Sequence, residues 1–129
     1  MKDLQGHEIS SADVHSKVVL IDFWATRCQP CKKEMSGYQK LLGRYGSQGF
    51  AVVGFNIRHH DGYRGPGRLR ERIGVRYPLA FAADDLKQKF GGVEGLPTTL
   101  IYDCKGILRN KVVGFIYTDV IESEIKLQL

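Results

Sequence analysis

Seven residues, Val18-Val19-Leu20-Ile21-Asp22-Phe23-Trp24, form a short apolar run broken only by one carboxylate. Successive side chains of a strand point to opposite faces, so a run apolar at both parities must be covered on both sides. The run therefore predicts the central strand of a parallel-type sheet with helices on its faces. Four residues later Cys28-Gln29-Pro30-Cys31 opens a second pattern. Met35, Tyr38, Leu41, Leu42 and Tyr45 recur at helical spacing, which predicts an amphipathic helix over 30–45 with Pro30 in its first turn. Ser36-Gly37 is a point where that helix can kink.

The rest of the chain continues the alternation. Residues 1–16 are polar, with Leu4, Ile9 and Val14 as anchors. Strands are expected at Phe50 to Ile57, Tyr77 to Ala82, Thr98 to Tyr102 and Ile107 to Phe115. The last two are joined by a turn at Asp103-Cys104-Lys105-Gly106. Short helices are expected over 67–73 and after an Asp84 cap, the latter stopped by Gly91-Gly92. A last helix is capped by Thr118, with Val120, Ile121 and Ile125 facing inward. The order β-α-β-α-β-α-β-β-α implies early parallel crossovers and a late antiparallel hairpin. At 129 residues the chain suits one domain, 1–129. Apolar residues at 43% and charged residues at 26% exclude disordered and collagen-like classes. No apolar run approaches the ~18 residues of a membrane span, and no export signal is visible.

A Cys-x-x-Cys between a strand end and a helix start has a specific use. The first sulfur meets the unpaired N–H groups and positive dipole end of the helix, which favour a thiolate. That makes Cys28 the candidate nucleophile, and Cys31, one turn on, the candidate resolving thiol. An inert structural disulfide or half a zinc site would share the spacing. Zinc needs further ligands, and the only clustered pair, His59-His60, is a poor chelate, so no metal is expected. Asp22 interrupts an apolar strand, so it is expected to be buried with a raised pKa and able to carry the proton that exchange moves. Glu34 lies three residues after Cys31 on nearly the same helix face. Its bland alternative is an exposed helical Glu flanked by Lys32 and Lys33. Cys104 is expected to be a bystander, about 20 Å along the sheet from the sulfurs.

The segment Asp22 to Glu34 resembles the active-site segment of the thioredoxin superfamily, and more narrowly that of TlpA/ResA-like thiol-disulfide oxidoreductases. Gly95-Leu96-Pro97-Thr98-Thr99-Leu100-Ile101-Tyr102-Asp103 resembles that family's Pro-Thr-Thr strand, and Asp3-Leu4-Gln5-Gly6 its opening. The resemblance implies a thioredoxin fold: a central mixed sheet flanked by helices, with an N-terminal extension and a β-α insertion. It implies a cis bond at Pro97 facing the sulfurs, with the Leu96 backbone binding an extended segment of the partner. Gln29, Pro30 and Trp24 would complete the partner surface. It further implies acids at Asp22 and Glu34 that take part in exchange, and no cofactor beyond the Cys28–Cys31 dithiol.

The implied partners are proteins bearing disulfides or thiols and an upstream thiol electron donor. The implied setting is extracytoplasmic, the role reductive, often in cytochrome c maturation, and the chain a monomer. Two features depart from the family: Arg27 stands where Trp usually precedes the first Cys, and Ser36 where many relatives have Pro. A thiol peroxidase and a redox-inactive binding module are the alternatives. The peroxidase pattern Pro-x-x-x-Thr-x-x-Cys is not met, since Thr26 lies only two residues before Cys28. The net charge of +5 gathers in 58–76, with Arg58, Arg64, Arg68, Arg70, Arg72 and Arg76. Without aromatic stacking platforms this reads as a solvated segment rather than a nucleic-acid surface.

Overall fold

The structure is a computed structural model that describes residues 2–4, 6–57 and 70–129. Five strands form one sheet: β1 (Val18–Trp24), β2 (Phe50–Asn56), β3 (Leu79–Phe81), β4 (Thr98–Tyr102) and β5 (Leu108–Val113), in the order β3-β2-β1-β4-β5. The helices are α1 (Gln29–Tyr45), α2 (Asp84–Lys89) and α3 (Thr118–Gln128). β1 is central and every one of its residues is buried. It pairs in parallel with β2 and antiparallel with β4, so the sheet is mixed. The pairs β1–β2 and β2–β3 make the parallel half, and β1–β4 with the β4–β5 hairpin the antiparallel half.

The period of two divides β1 between two core layers. Val18, Leu20 and Trp24 pack under α1 and α3, against Met35, Tyr38, Leu41, Ile121 and Ile125. Val19, Ile21 and Phe23 pack on the other face with Val53, Phe55, Ala80 and Leu100. Leu86 and Phe90, around α2, close that second layer, where the Phe23, Phe55 and Phe90 rings meet with centroids 5.6–6.0 Å apart, Phe23 stacked on Phe55 and edge to face with Phe90. Asp22 has the parity of Leu20 and Trp24 and therefore lies on the α1 side. Leu4 is buried and its N–H donates to the Leu79 carbonyl at 2.7 Å, while Ile9 and Val14 rest on the second layer. The N-terminal extension is thereby tied to the sheet.

Two glycines set close approaches. Gly54 on β2 is the register partner of Asp22. A Cβ there would meet Leu79 Cδ2 at 2.6 Å, with Trp24 Nε1 and Tyr77 Cε2 both at 3.3 Å. Gly54→Ala is expected to destabilise the fold by about 1–3 kcal/mol, because these buried neighbours have little room to give. Chemical denaturation checks this; an unchanged midpoint would show that the site is looser than its geometry. Gly37 stands against Thr118, at the start of α3, closely enough that any side chain would collide. The helix runs through Ser36-Gly37 uninterrupted, so the pair serves helix packing rather than a break in α1.

Several boundaries differ from expectation. β3 is shorter than Tyr77 to Ala82, and β5 ends at Val113. Beyond it Gly114, at φ 104°, turns the chain off the sheet edge and releases Phe115. Thr118 does not cap α3; Tyr117 occupies the cap position without a side-chain bond. Val120 is 48% exposed, because the inward stripe is Ile121 and Ile125 and the preceding residue is rotated about 100° away. Asp84 is the first residue of α2 rather than its cap, and it pairs with Lys87 at 2.8 Å. Residues 70–73 are helical, but most of the helix expected over 67–73 lies outside the described residues, as do His59, His60 and the Arg58 to Arg68 part of the basic segment. Arg70 is structural: its guanidinium donates to the carbonyls of Tyr77 at 2.8 Å and Arg76 at 3.1 Å.

Candidate active site

β1 ends at Trp24, and three loop residues lead to Cys28, the N-cap of α1. Cap residues accept a hydrogen bond from an amide one turn into the helix that would otherwise lack a partner. Here the acceptor is sulfur: the Cys31 N–H donates to Cys28 Sγ at 3.3 Å. Pro30, in the first turn, has no N–H to lose. Cys28 and Cys31 form a disulfide with their Cα atoms 5.3 Å apart. The two sulfurs differ in access. Cys31 is completely buried in the layer under α1, whereas Cys28 is half-buried and opens to the surface.

A cleft of about 460 Å³ lies beside Cys28, lined by Ala25, Arg27, Ile57, Val93, Glu94, Gly95 and Leu96. Arg27 and Glu94 place opposite charges on its rim. The Leu96–Pro97 peptide bond is cis, Leu96 lines the cleft, and Pro97 is buried with its carbonyl accepting from Gly114 N–H at 2.8 Å. On the other side of the helix start, exposed Gln29 and Pro30 border a groove of about 660 Å³ with Lys33, Phe115 and Tyr117. The Phe115 and Tyr117 rings meet edge to face at 5.1 Å. These two aromatics were not legible as site residues; their only signal was apolar bulk just past a Gly. An apolar cavity of about 530 Å³ lies at the far end of the sheet around Val19, Tyr102 and the 103–106 turn. It is remote from the sulfurs.

Trp24 does not join the partner surface. It is fully buried, because the last residue of β1 still points under α1, and its indole stands beside Gly54. Cys104 is exposed in the β4–β5 turn. Register carries it to the far end of the sheet, since Tyr102 pairs with Val19 while Cys28 follows Trp24. Among the described residues no group of three or more His, Cys, Asp or Glu gathers that could hold a metal.

The layer under α1 that holds Cys31 also holds two buried acids. Asp22 is completely buried, and neither carboxyl oxygen has a hydrogen-bond partner among the described residues. Burial pushes its pKa well above the ordinary carboxylate range, and the nearby Glu34 charge pushes it further. Glu34 is only 2% exposed, not the solvated helical Glu that its lysine neighbours suggest. Its Oε1 accepts from the Tyr38 hydroxyl at 3.0 Å and its Oε2 from the Ile116 N–H at 2.7 Å. Burial raises the Glu34 pKa, while the two hydrogen bonds pull it back. Tyr38 also shares a 2.7 Å hydrogen bond with Thr99, the residue opposite Asp22 on β4. Burial, with the two carboxylates beside it, pushes the Tyr38 hydroxyl far up, so it stays protonated and remains a donor.

Residues 1–111 match the AhpC/TSA family. The thiol-disulfide oxidoreductase ResA of Geobacillus kaustophilus is 29% identical over 126 residues, covering 98% of this chain and 71% of the relative. A second ResA, from Geobacillus thermodenitrificans, is 30% identical, and the chain spans 64% of its length. The thioredoxin-like protein YneN of Bacillus subtilis is 30% identical over 128 residues, covering 98% of this chain and 74% of YneN. A thioredoxin-family thiol:disulfide interchange protein from Chlorobium tepidum has a crystal structure that superposes with a TM-score of 0.91. It is 25% identical, and the match covers 99% of this chain and 90% of that one. The five-stranded mixed sheet is thus the thioredoxin fold.

Proposed function

The chain belongs to the AhpC/TSA family of thioredoxin-like proteins, and from that premise we propose that it is a ResA-type thiol-disulfide oxidoreductase that reduces disulfides of partner proteins. The observation that carries the reading is the Cys28–Cys31 disulfide at the start of α1, one sulfur reachable and the other shielded. Reduced Cys28 attacks a partner disulfide, forms a mixed disulfide and releases one partner thiol. Cys31 then gives up its proton and attacks Cys28 Sγ. The internal disulfide forms, the second partner thiol leaves, and two electrons have passed to the partner.

The roles follow from place. The Cys31 amide, already aimed at Cys28 Sγ, stabilises a thiolate there, helped by the helix dipole. Glu34 and Asp22 form a buried acid pair that, as a unit, takes up the Cys31 proton. Leu96 and Pro97 on one side and Gln29 and Pro30 on the other form the surface that a partner's extended segment meets. No cofactor is required beyond the dithiol. No helix among the described residues is long and apolar enough to cross a membrane; the extracytoplasmic setting and an upstream thiol donor belong to this reading through the ResA likeness.

A redox titration of the Cys28–Cys31 couple against glutathione tests the direction. A reductase is expected to lie below the roughly −220 mV of a glutathione pool. A potential well above that value would make the protein an oxidant, and peroxide turnover without disulfide exchange would favour the peroxidase alternative.

A further inference from the structure

Asp22 and Glu34 interact, yet they are held very differently. Asp22 has no hydrogen-bond donor aimed at it among the described residues, and Glu34 has one on each oxygen. A carboxyl group that accepts two hydrogen bonds favours its charged form; one that accepts none in an apolar layer favours its neutral form. Two such groups within reach of each other's charge resist carrying two charges, so over a wide pH range the pair holds one. Of the two donors to Glu34, the Ile116 amide is backbone. Tyr38 is the only side chain that aims a proton at Glu34 among the described residues.

We propose that Tyr38 is a positioning residue of the exchange reaction, holding Glu34 as the ionised member of the buried acid pair and leaving Asp22 as the protonated one. The proposal rests on the oxidoreductase reading above. Tyr38 lies one turn beyond Glu34 on α1, and its hydroxyl, fixed on its far side by Thr99, points at Oε1. Glu34 in turn lies one turn beyond Cys31. The ionised carboxylate therefore stands on the same helix face as the thiol that must lose a proton.

In the resolving step the Cys31 proton passes to the Glu34 carboxylate as Cys31 Sγ bonds to Cys28 Sγ. The bond from Cys28 to the partner breaks, and the partner leaves as a thiolate that takes its proton from solvent. Asp22, kept neutral, neither competes for that proton nor repels the sulfur anion. The groups facing this cluster are few. β1 brings Asp22, α1 brings Cys28, Cys31, Glu34 and Tyr38, and β4 brings the uncharged Thr99. The 114–117 segment brings the Ile116 amide, and the stretch before β3 brings Tyr77 with Arg70 beyond it. The charges that Tyr77 feels are those of Asp22, Arg70 and Glu34, so it reports on the pair without bonding to it.

The test is Tyr38→Phe, which removes one O–H and keeps the buried ring. The rate of mixed-disulfide resolution with oxidised glutathione as probe is followed from pH 4 to 9. In parallel the Glu34 carboxyl is titrated by carbon-13 NMR. Loss of a donor to the charged form raises the carboxyl pKa, so the acid limb of the rate moves up by roughly one pH unit. Below the limb the rate falls about tenfold, and the Glu34 titration moves with it. Attack by Cys28 on the probe keeps its parent rate. A site-specific 3-fluorotyrosine at position 38, a stronger donor, shifts both curves the other way. In a Glu34→Gln background Tyr38→Phe changes nothing further. Coincident parent and Tyr38→Phe curves in a protein that does exchange would overturn the proposal alone. A parent protein that does not exchange with the probe at all would overturn the oxidoreductase reading, and the proposal with it.

Discussion

Cys28→Ser abolishes disulfide exchange, by on the order of 10³-fold or more, the scale on which removing a nucleophile acts. Cys31→Ser does something different: it keeps the first attack and accumulates a mixed disulfide with the partner. The structure supports the asymmetry, since a partner sulfur can reach Cys28 and cannot reach the fully buried Cys31. Non-reducing electrophoresis of each variant after incubation with a disulfide-bearing protein reads both outcomes. Capture by Cys28→Ser and not by Cys31→Ser would exchange the two roles.

Asp22→Asn combined with Glu34→Gln slows resolution by about 10²-fold, the lower range of general acid–base effects. Each single change costs less than the pair: without Asp22 the Glu34 carboxylate still accepts, and without Glu34 the Asp22 carboxyl, no longer facing that charge, can ionise and accept in its place. Parent resolution in the double variant would assign the proton to solvent instead. Asp22→Asn also changes stability, and the sign follows from linkage. The folded-state pKa of Asp22 is raised above its unfolded value. Its contribution is therefore fully favourable below the unfolded value and is lost as pH rises toward the folded one. Within that window the parent loses about 1.4 kcal/mol per pH unit at this site, and the Asn variant does not. Thermal unfolding from pH 4 to 8 is expected to show the variant gaining on the parent as pH rises. A difference that stays flat with pH, or moves in the parent's favour, would mean that Asp22 ionises in the fold.

The frame of this site was legible because its signals are local. A short apolar run with both parities filled and rich in β-branched and aromatic residues reads as a covered strand, and β1 is covered at every residue. A Cys-x-x-Cys with proline between the sulfurs, followed by apolar residues at helical spacing, predicts a helix start, and α1 starts there. Asp22 was legible as a buried acid for the same reason: a charge set inside such a run has nowhere to go. Glu34 was not. Its burial depends on the Ile116 amide, 82 residues away, which only the turn at Gly114 brings over α1. Tyr38 reads as ordinary core spacing, and its polar end acquires meaning only when β4 sets Thr99 beside it. Trp24 misled because the motif places it next to the sulfurs along the chain, while strand parity turns it inward. Arg70 looked like part of a charged surface, yet its donors are spent on two backbone carbonyls.

The shielding of Cys31 also governs how long the enzyme and its partner stay joined. Once the mixed disulfide exists, the thiol already placed to release it is a neighbour on the same helix, its Cα 5.3 Å from that of Cys28. Release by Cys31 is then a unimolecular event with a high effective molarity, and this route does not depend on how much free thiol surrounds the protein. Turnover saturates with substrate even for partners that form no stable complex beforehand, because the covalent intermediate is itself the complex. Discrimination among partners therefore falls on the first collision at Cys28, where the Arg27 and Glu94 rim and the aromatic pair at Phe115 and Tyr117 stand on either side.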